Sequence, residues 1–246
     1  AATQDSPSSG YLAEVGVDNP LPWSTFATLA DGSRFHFDGA TVALHGPDGA
    51  FINSLHTFPT FFFTGAIAVD PSGDSVLVGE STTGDIYRVE MDGSGASLLA
   101  NLPYNYDAVY EGPGSALVSA ATCGFSCGND IIRIDTLTGL TELVAQVSGP
   151  SGPVALSATG DLYYGPSLDA FPAPAGSGEL WLFAASSLSG SGVLSDSDAT
   201  VITTGLDIIS SIAVDSAFGD VVVATNTYDS NFSVVADALT LLRYDG

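Results

Sequence analysis

The residues whose types and spacing bear on chemistry are two cysteines, three histidines and a few aspartate-rich turns. Cys123 and Cys127 stand in Cys-Gly-Phe-Ser-Cys. Two thiolates do not close a zinc site, which takes three or four ligands. The spacing also differs from the Cys-x-x-Cys of redox proteins. The pair reads as a small loop disulfide, which implies an oxidising compartment. His36, His45 and His56 show neither His-x-His nor His-Glu-x-x-His spacing, so no transition-metal site is expected. Asp70-Pro-Ser-Gly-Asp74 and Asp196-Ser-Asp198 offer carboxylates to a surface calcium, but neither follows the EF-hand loop. Such stretches are turn formers first. There is no Gly-x-Ser-x-Gly nucleophile elbow and no P-loop. Asn231-Phe-Ser233 is an acceptor triplet for N-glycosylation.

The charge balance narrows the partners. Among 246 residues there are 28 acidic ones and four basic ones, all arginine, for a net charge of −24. Phosphate binding needs a basic footprint, so nucleic acid is excluded as a direct partner. An anionic membrane surface is disfavoured for the same reason. No apolar run approaches the length of a membrane-spanning helix. The chain opens Ala-Ala-Thr-Gln-Asp, which reads as the end left when a secretion signal is removed. Together with the paired cysteines, this gives a secreted or cell-surface location.

Next come the elements that must carry these residues. A short strand, a glycine-centred turn and a second apolar strand recur five times, marked by Gly32, Gly73, Gly114, Gly160 and Gly219. Glycine supplies the positive φ that such turns need. A third strand follows in Asp85-Ile-Tyr-Arg88-Val-Glu, Asp130-Ile-Ile-Arg133-Ile-Asp and Ala238-Leu-Thr-Leu-Leu-Arg243-Tyr-Asp. The recurrent arginine reads as a tie between neighbouring strands or blades. A fourth strand follows in 96–103 and 140–147. Four strands per repeat of this length is the pattern of a β-propeller blade.

The expected fold is therefore all-β: one propeller domain over 1–246, with blades at 23–59, 60–103, 104–149, 150–206 and 207–246. The fifth blade lacks a fourth strand in sequence order. Residues 10–17, followed by Asn19-Pro-Leu-Pro22, have the character of that strand. In the expected closure, 1–22 forms a tail and a strand that completes blade five and removes its open edge. The same strand given to a neighbouring molecule would instead build a chain of molecules. The stretch 184–192, rich in Ser, Gly and Ala, is expected to be a flexible insert in blade four.

Ala66-Ile-Ala-Val-Asp-Pro-Ser-Gly-Asp followed by Ile86-Tyr-Arg-Val resembles the blades of NHL-type and gluconolactonase-type propellers, and does so over most of the chain. That superfamily holds enzymes and binding scaffolds alike. Its gluconolactonase branch implies a divalent cation, Ca2+, held in the channel by Glu, Asn and Asp side chains that would polarise a lactone or ester carbonyl. The matching candidates are Glu80, Asp107 and Asn226, with Asp38 as a possible addition. Blade four offers no carboxylate at the equivalent position.

Blade topology puts the loops between strands two and three, and the connections between blades, on one face. Three of these loops are enlarged: 122–129, 166–178 and 226–237. The aromatic residues expected there are Phe61, Phe62, Phe63, Tyr104, Tyr106, Phe171 and Tyr228, beside Asp107. Exposed aromatics in a polar rim suit sugar stacking or protein contact. The sequence thus favours a secreted, non-catalytic propeller that binds or self-assembles. A calcium-dependent lactonase or esterase and a sugar-binding lectin are the alternatives.

Overall fold

The computed structural model describes residues 25–29, 31–60, 62–124, 128–149, 152–166, 174–215, 217–229 and 234–243. They form a five-bladed β-propeller of antiparallel sheets. Blade one is β1 (Thr25–Thr28), β2 (Arg34–Phe37), β3 (Thr41–His45) and β4 (Phe51–Thr57). Blade two is β5 (Thr64–Val69), β6 (Ser75–Glu80), β7 (Asp85–Glu90) and β8 (Ala96–Asn101). Blade three is β9 (Asn105–Gly112), β10 (Ser115–Ala120), β11 (Asn129–Asp135) and β12 (Thr141–Val147). Blade four is β13 (Val154–Leu156), β14 (Leu162–Tyr164), β15 (Gly178–Phe183) and β16 (Thr200–Leu206). Blade five is β17 (Ile208–Val214), β18 (Val221–Tyr228) and β19 (Val234–Leu242), a sheet of three described strands. The expected closing strand, 10–17, lies outside the described residues.

The turns follow the sequence pattern. All five marker glycines have φ between 76° and 85°, where a side chain would be strained. Much of the acidity also belongs to turns. The carboxylates of Asp31, Asp48, Asp70, Asp92, Asp135 and Asp215 each accept the backbone N–H two residues on. This is the Asx-turn that makes aspartate a turn residue. Asp70 is thus a turn cap. Asp196 accepts the N–H of Ser148 at 2.8 Å and pins the blade-four insert to the preceding connection.

Two loops differ from expectation. In blade five, Asn226, Thr227 and Tyr228 extend β18 and pair with Asp237, Ala236 and Val234 of β19. The long loop expected there shortens to 229–233, because Thr227, Tyr228, Val234 and Val235 are β-branched or aromatic residues that favour a strand. The Ser/Gly stretch after β15 forms a short helix, α1 (Ala185–Leu188), anchored by Leu188, which is buried against the blade-three and blade-four core. One leucine gives the segment a burial site that its composition did not advertise.

Apolar clusters cement successive blades. Phe35, Phe37 and Val42 of blade one pack on Ile67, Val76 and Val78 of blade two. Leu77 and Ile86 meet Val118 and Ile134 between blades two and three. Ile131 and Val144 meet Leu162 and Phe183 between blades three and four. Leu180 and Tyr163 meet Ile209 and Val223 between blades four and five. No cluster among the described residues joins blade five to blade one.

The recurrent arginines reach forward. Arg88 Nη1 donates to the Thr136 carbonyl of blade three at 3.4 Å. Arg133 Nη2 donates to the Leu188 carbonyl of blade four at 3.0 Å.

Candidate functional site

Two surfaces stand out. The first is the channel mouth. Tyr106 projects from the innermost strand of blade three and its hydroxyl donates to the Ser210 carbonyl of blade five at 3.3 Å. Asn226 Nδ2 donates to the Tyr228 hydroxyl at 3.3 Å. Tyr228 is also near enough to help raise the Tyr106 pKa, after burial and the Asp107 charge. Tyr106 nonetheless keeps 39% of its surface open, as befits a side chain lining a narrow channel. Tyr104, just ahead, is the only described non-glycine residue with positive φ, at 54°. Such a conformation persists only where surrounding structure enforces it. The cluster is rich in hydrogen-bonding groups.

Asp107 lies beside it with both oxygens engaged. One accepts the Ala108 N–H at 2.8 Å and the other the Val154 N–H of blade four at 3.0 Å. Burial outweighs these bonds and pushes its pKa up to about 7. The folded state therefore retains a proton that the unfolded chain releases at an ordinary 3.8, and its contribution to stability falls as the pH rises between those values. Asp107→Asn removes the charge and one acceptor, the second effect being independent of pH. The expected result is that wild type loses stability relative to the variant from pH 5 to pH 8, measured by urea unfolding at each pH. Parallel pH profiles would refute it.

Each candidate cation ligand already has hydrogen-bond partners within the protein. Glu80 sits at the end of β6, only 3% exposed. Its Oε1 accepts the Phe63 N–H and its Oε2 the Thr83 N–H. Those bonds hold its pKa below the usual range against the opposing effect of burial. Asp38 caps its own turn by accepting from Ala40 and Thr41. Among the described residues no three His, Cys, Asp or Glu side chains gather as a metal group.

The other candidates are scattered. Phe62 stacks on Tyr87 and meets Phe58 edge-on, filling the seam between blades one and two. Phe63 is half exposed. Phe61, Phe171, Cys127 and Asn231 lie outside the described residues, so neither the Cys123–Cys127 pair nor the glycosylation triplet is placed.

Two features escaped the sequence reading. One is Asn105, 1% exposed. Its Oδ1 accepts the Ala66 N–H at 2.9 Å, and its Nδ2 donates to the carbonyls of Glu80 at 2.7 Å and Leu102 at 3.1 Å. It clasps blade two to blade three. The available signal was Gly65 and Gly79, glycines inside strands, which mark close approach of another group.

The other is the second surface, the outer face of β19. Val234, Val235, Leu239 and Leu241 are 51%, 60%, 77% and 50% exposed. Leu239 and Leu241 pair with Ala224 and Val222, on the sheet face opposite Val221 and Val223, which pack toward blade four. They therefore face the blade-one side. Blade one turns Phe26, His36, His45 and Phe51 back toward them, Phe26 and Phe51 being 55% and 63% exposed. The signal was the apolar content of Val234-Val-Ala-Asp-Ala-Leu-Thr-Leu-Leu242 in the last repeat.

The sequence matches no protein-family profile and no curated protein. Its fold is similar to solved propellers. A Kuenenia stuttgartiensis hydrazine synthase chain superposes with a TM-score of 0.61 at 15% identity, over 95% of this chain and 66% of that one. A gluconolactonase from Xanthomonas campestris gives 0.61 at 19% identity, over 86% and 74%. A chain of a nidogen/laminin complex gives 0.57 at 12% identity, over 84% and 75%. The blade-level resemblance read from the sequence holds for the fold.

Proposed function

We propose that this chain is an extracellular, non-catalytic propeller that acts by self-association. The observation that carries this is the outer face of β19: a nine-residue edge strand with seven exposed positions. Four of these are large apolar residues and one is Asp237, and among the described residues the strand ends a sheet one strand shorter than the rest. Soluble proteins blunt such edges with charge, proline or cover. An uncovered one is a template for strand addition. The lysine-free composition supports the same conclusion, since lysine is the usual guard of an exposed edge. A chain of similar fold occurs in a nidogen/laminin complex, which supports a reading of protein contact. Secretion, with Cys123 and Cys127 joined in a loop disulfide, belongs to the same proposal.

Negative-stain microscopy and light scattering of the purified protein test it. Regular rods, fibres or sheets are expected. Isolated rings at every concentration, with a monomer mass, would overturn it.

The channel mouth favours a second activity, binding of an uncharged sugar. Two tyrosines, Asn226 and the Ser210 carbonyl converge there, which suits hydroxyl groups and ring stacking. On a glycan array Tyr106→Ala is expected to weaken any bound glycan by about tenfold, equivalent to roughly 1.4 kcal/mol. Equal binding by wild type and variant would place the sugar elsewhere. Hydrolysis through a channel cation gains no support from Glu80 and Asp107, whose oxygens are already engaged.

A further inference from the structure

We infer that Asn105, Tyr106 and Asp107 form an internal latch of the propeller, through which the innermost strand of blade three holds blades two, five and four at once. The latch is independent of self-association and of sugar binding. Each of the three side chains reaches a different blade. Asn105 accepts the Ala66 N–H and donates to the Glu80 and Leu102 carbonyls, all of blade two. The Tyr106 hydroxyl donates to the Ser210 carbonyl of blade five at 3.3 Å. The Asp107 carboxylate accepts the Val154 N–H of blade four at 3.0 Å. Blades three and five are not neighbours in the ring, so the Tyr106 bond crosses the channel past blade four.

A regular strand could not do this. It sends successive side chains to two opposite faces, which would align Asn105 with Asp107. A β-bulge supplies the third direction. Where β9 pairs with β10, Asp107 lies opposite Ser119 and Asn105 opposite Ala120, so Tyr106 is the extra residue. Bulges re-aim side chains in this way. β17 carries a matching bulge. Ile209 lies opposite Thr225 and Ser211 opposite Ala224, so Ser210 is the extra residue there. Its hydroxyl donates to the Ala224 carbonyl at 3.3 Å, and its own carbonyl accepts from Tyr106. The bond across the channel therefore joins two bulge residues, each left out of its own ladder.

The approach to the latch is fixed as well. Tyr104, at φ 54°, donates its N–H to the Ser81 carbonyl of blade two at 2.6 Å and accepts the Ala121 N–H of its own blade at 3.3 Å. Through β17 the latch also reaches the channel mouth. Ile208 lies opposite Asn226 in the ladder with β18, so Tyr106 acts as a positioning residue for Asn226 and Tyr228.

Amide hydrogen exchange read by mass spectrometry tests this on full-length wild type, Tyr106→Phe, Asp107→Ala and Asn105→Ala. Circular dichroism checks that each is folded. Tyr106→Phe removes one oxygen and keeps the ring. In that variant exchange over 208–214 is expected to be about fivefold faster, the scale of one neutral hydrogen bond, with 64–69 and 154–156 unchanged. Asp107→Ala is expected to act most on 154–156, and Asn105→Ala most on 64–69. Unchanged exchange over 208–214 in Tyr106→Phe would overturn the latch. Equal acceleration in every blade would also overturn it, since Tyr106 would then contribute only to global stability. The Tyr106→Phe result decides the matter even where Asn105→Ala or Asp107→Ala does not fold.

Discussion

Gly79→Ala is expected to lower folding stability by about 3 kcal/mol, the scale of overpacking combined with a broken buried hydrogen bond. A Cβ at this position would lie 2.1 Å from Asn105 Oδ1 and 2.8 Å from Asn105 Cγ. Asn105 has no room to yield, because a Cβ on Gly65 would meet the same oxygen at 2.0 Å, and its amide is held by three backbone groups. The added methyl therefore breaks the clasp between blades two and three or pushes the blades apart. Asn105→Ala alone leaves the Ala66 N–H and two buried carbonyls unpaired and is expected to cost a similar ~3 kcal/mol. The double variant separates steric from hydrogen-bonding loss. With the asparagine gone the alanine has space, so the pair should cost clearly less than the sum of the single changes. Urea unfolding of all four proteins measures the coupling. Strict additivity would mean that Gly79 and Asn105 do not share one packing constraint.

Arg133→Met is expected to cost about 2 kcal/mol, the range of a charge-assisted network on a partly exposed side chain. Its guanidinium grips Glu111 with two bonds, of 2.7 and 3.0 Å, and Glu142 with one of 2.8 Å, besides reaching Leu188. Methionine keeps part of the stem's packing and removes all four bonds. It also leaves Glu111 and Glu142 facing each other on a protein with little positive charge to spare. For a domain of this size the loss corresponds to a fall in Tm of roughly 4–8 °C. High salt should narrow the gap, since the carboxylates left behind are screened. The sharper readout is local: amide exchange in α1 should speed up if the Leu188 carbonyl tie holds that helix to blade three. Unchanged exchange with a lowered Tm would confine Arg133 to its own sheet.

The contrast between these two residues shows where sequence stops being informative. Arg133 recurs with Arg88 and Arg243 at one repeat position, so a structural role was legible from periodicity. Its partners in the next blade were not, because Leu188 sits in a stretch whose composition suggested disorder. Asn105 recurs nowhere and was hidden between two tyrosines that looked more functional. The aspartate-rich turns were read as turns, and the hydrogen bonds bear this out. Glu80, Asp107 and Asn226 were nominated because each ends or begins a strand near the channel. Some of their partners are local, such as Thr83 and Ala108, but Phe63 and Val154 lie 17 and 47 residues away, and no local pattern encodes those.

Periodicity in the sequence was sufficient to determine the five repeats, the glycine turns and the antiparallel blades, since strand alternation and turn geometry are local properties of the backbone. The pairing of blades, the clasp at Asn105 and the cluster at the channel mouth were decided only in three dimensions. Each depends on surfaces brought together from distant parts of the chain, and burial is a property of the assembled surface, not of the residue that supplies it.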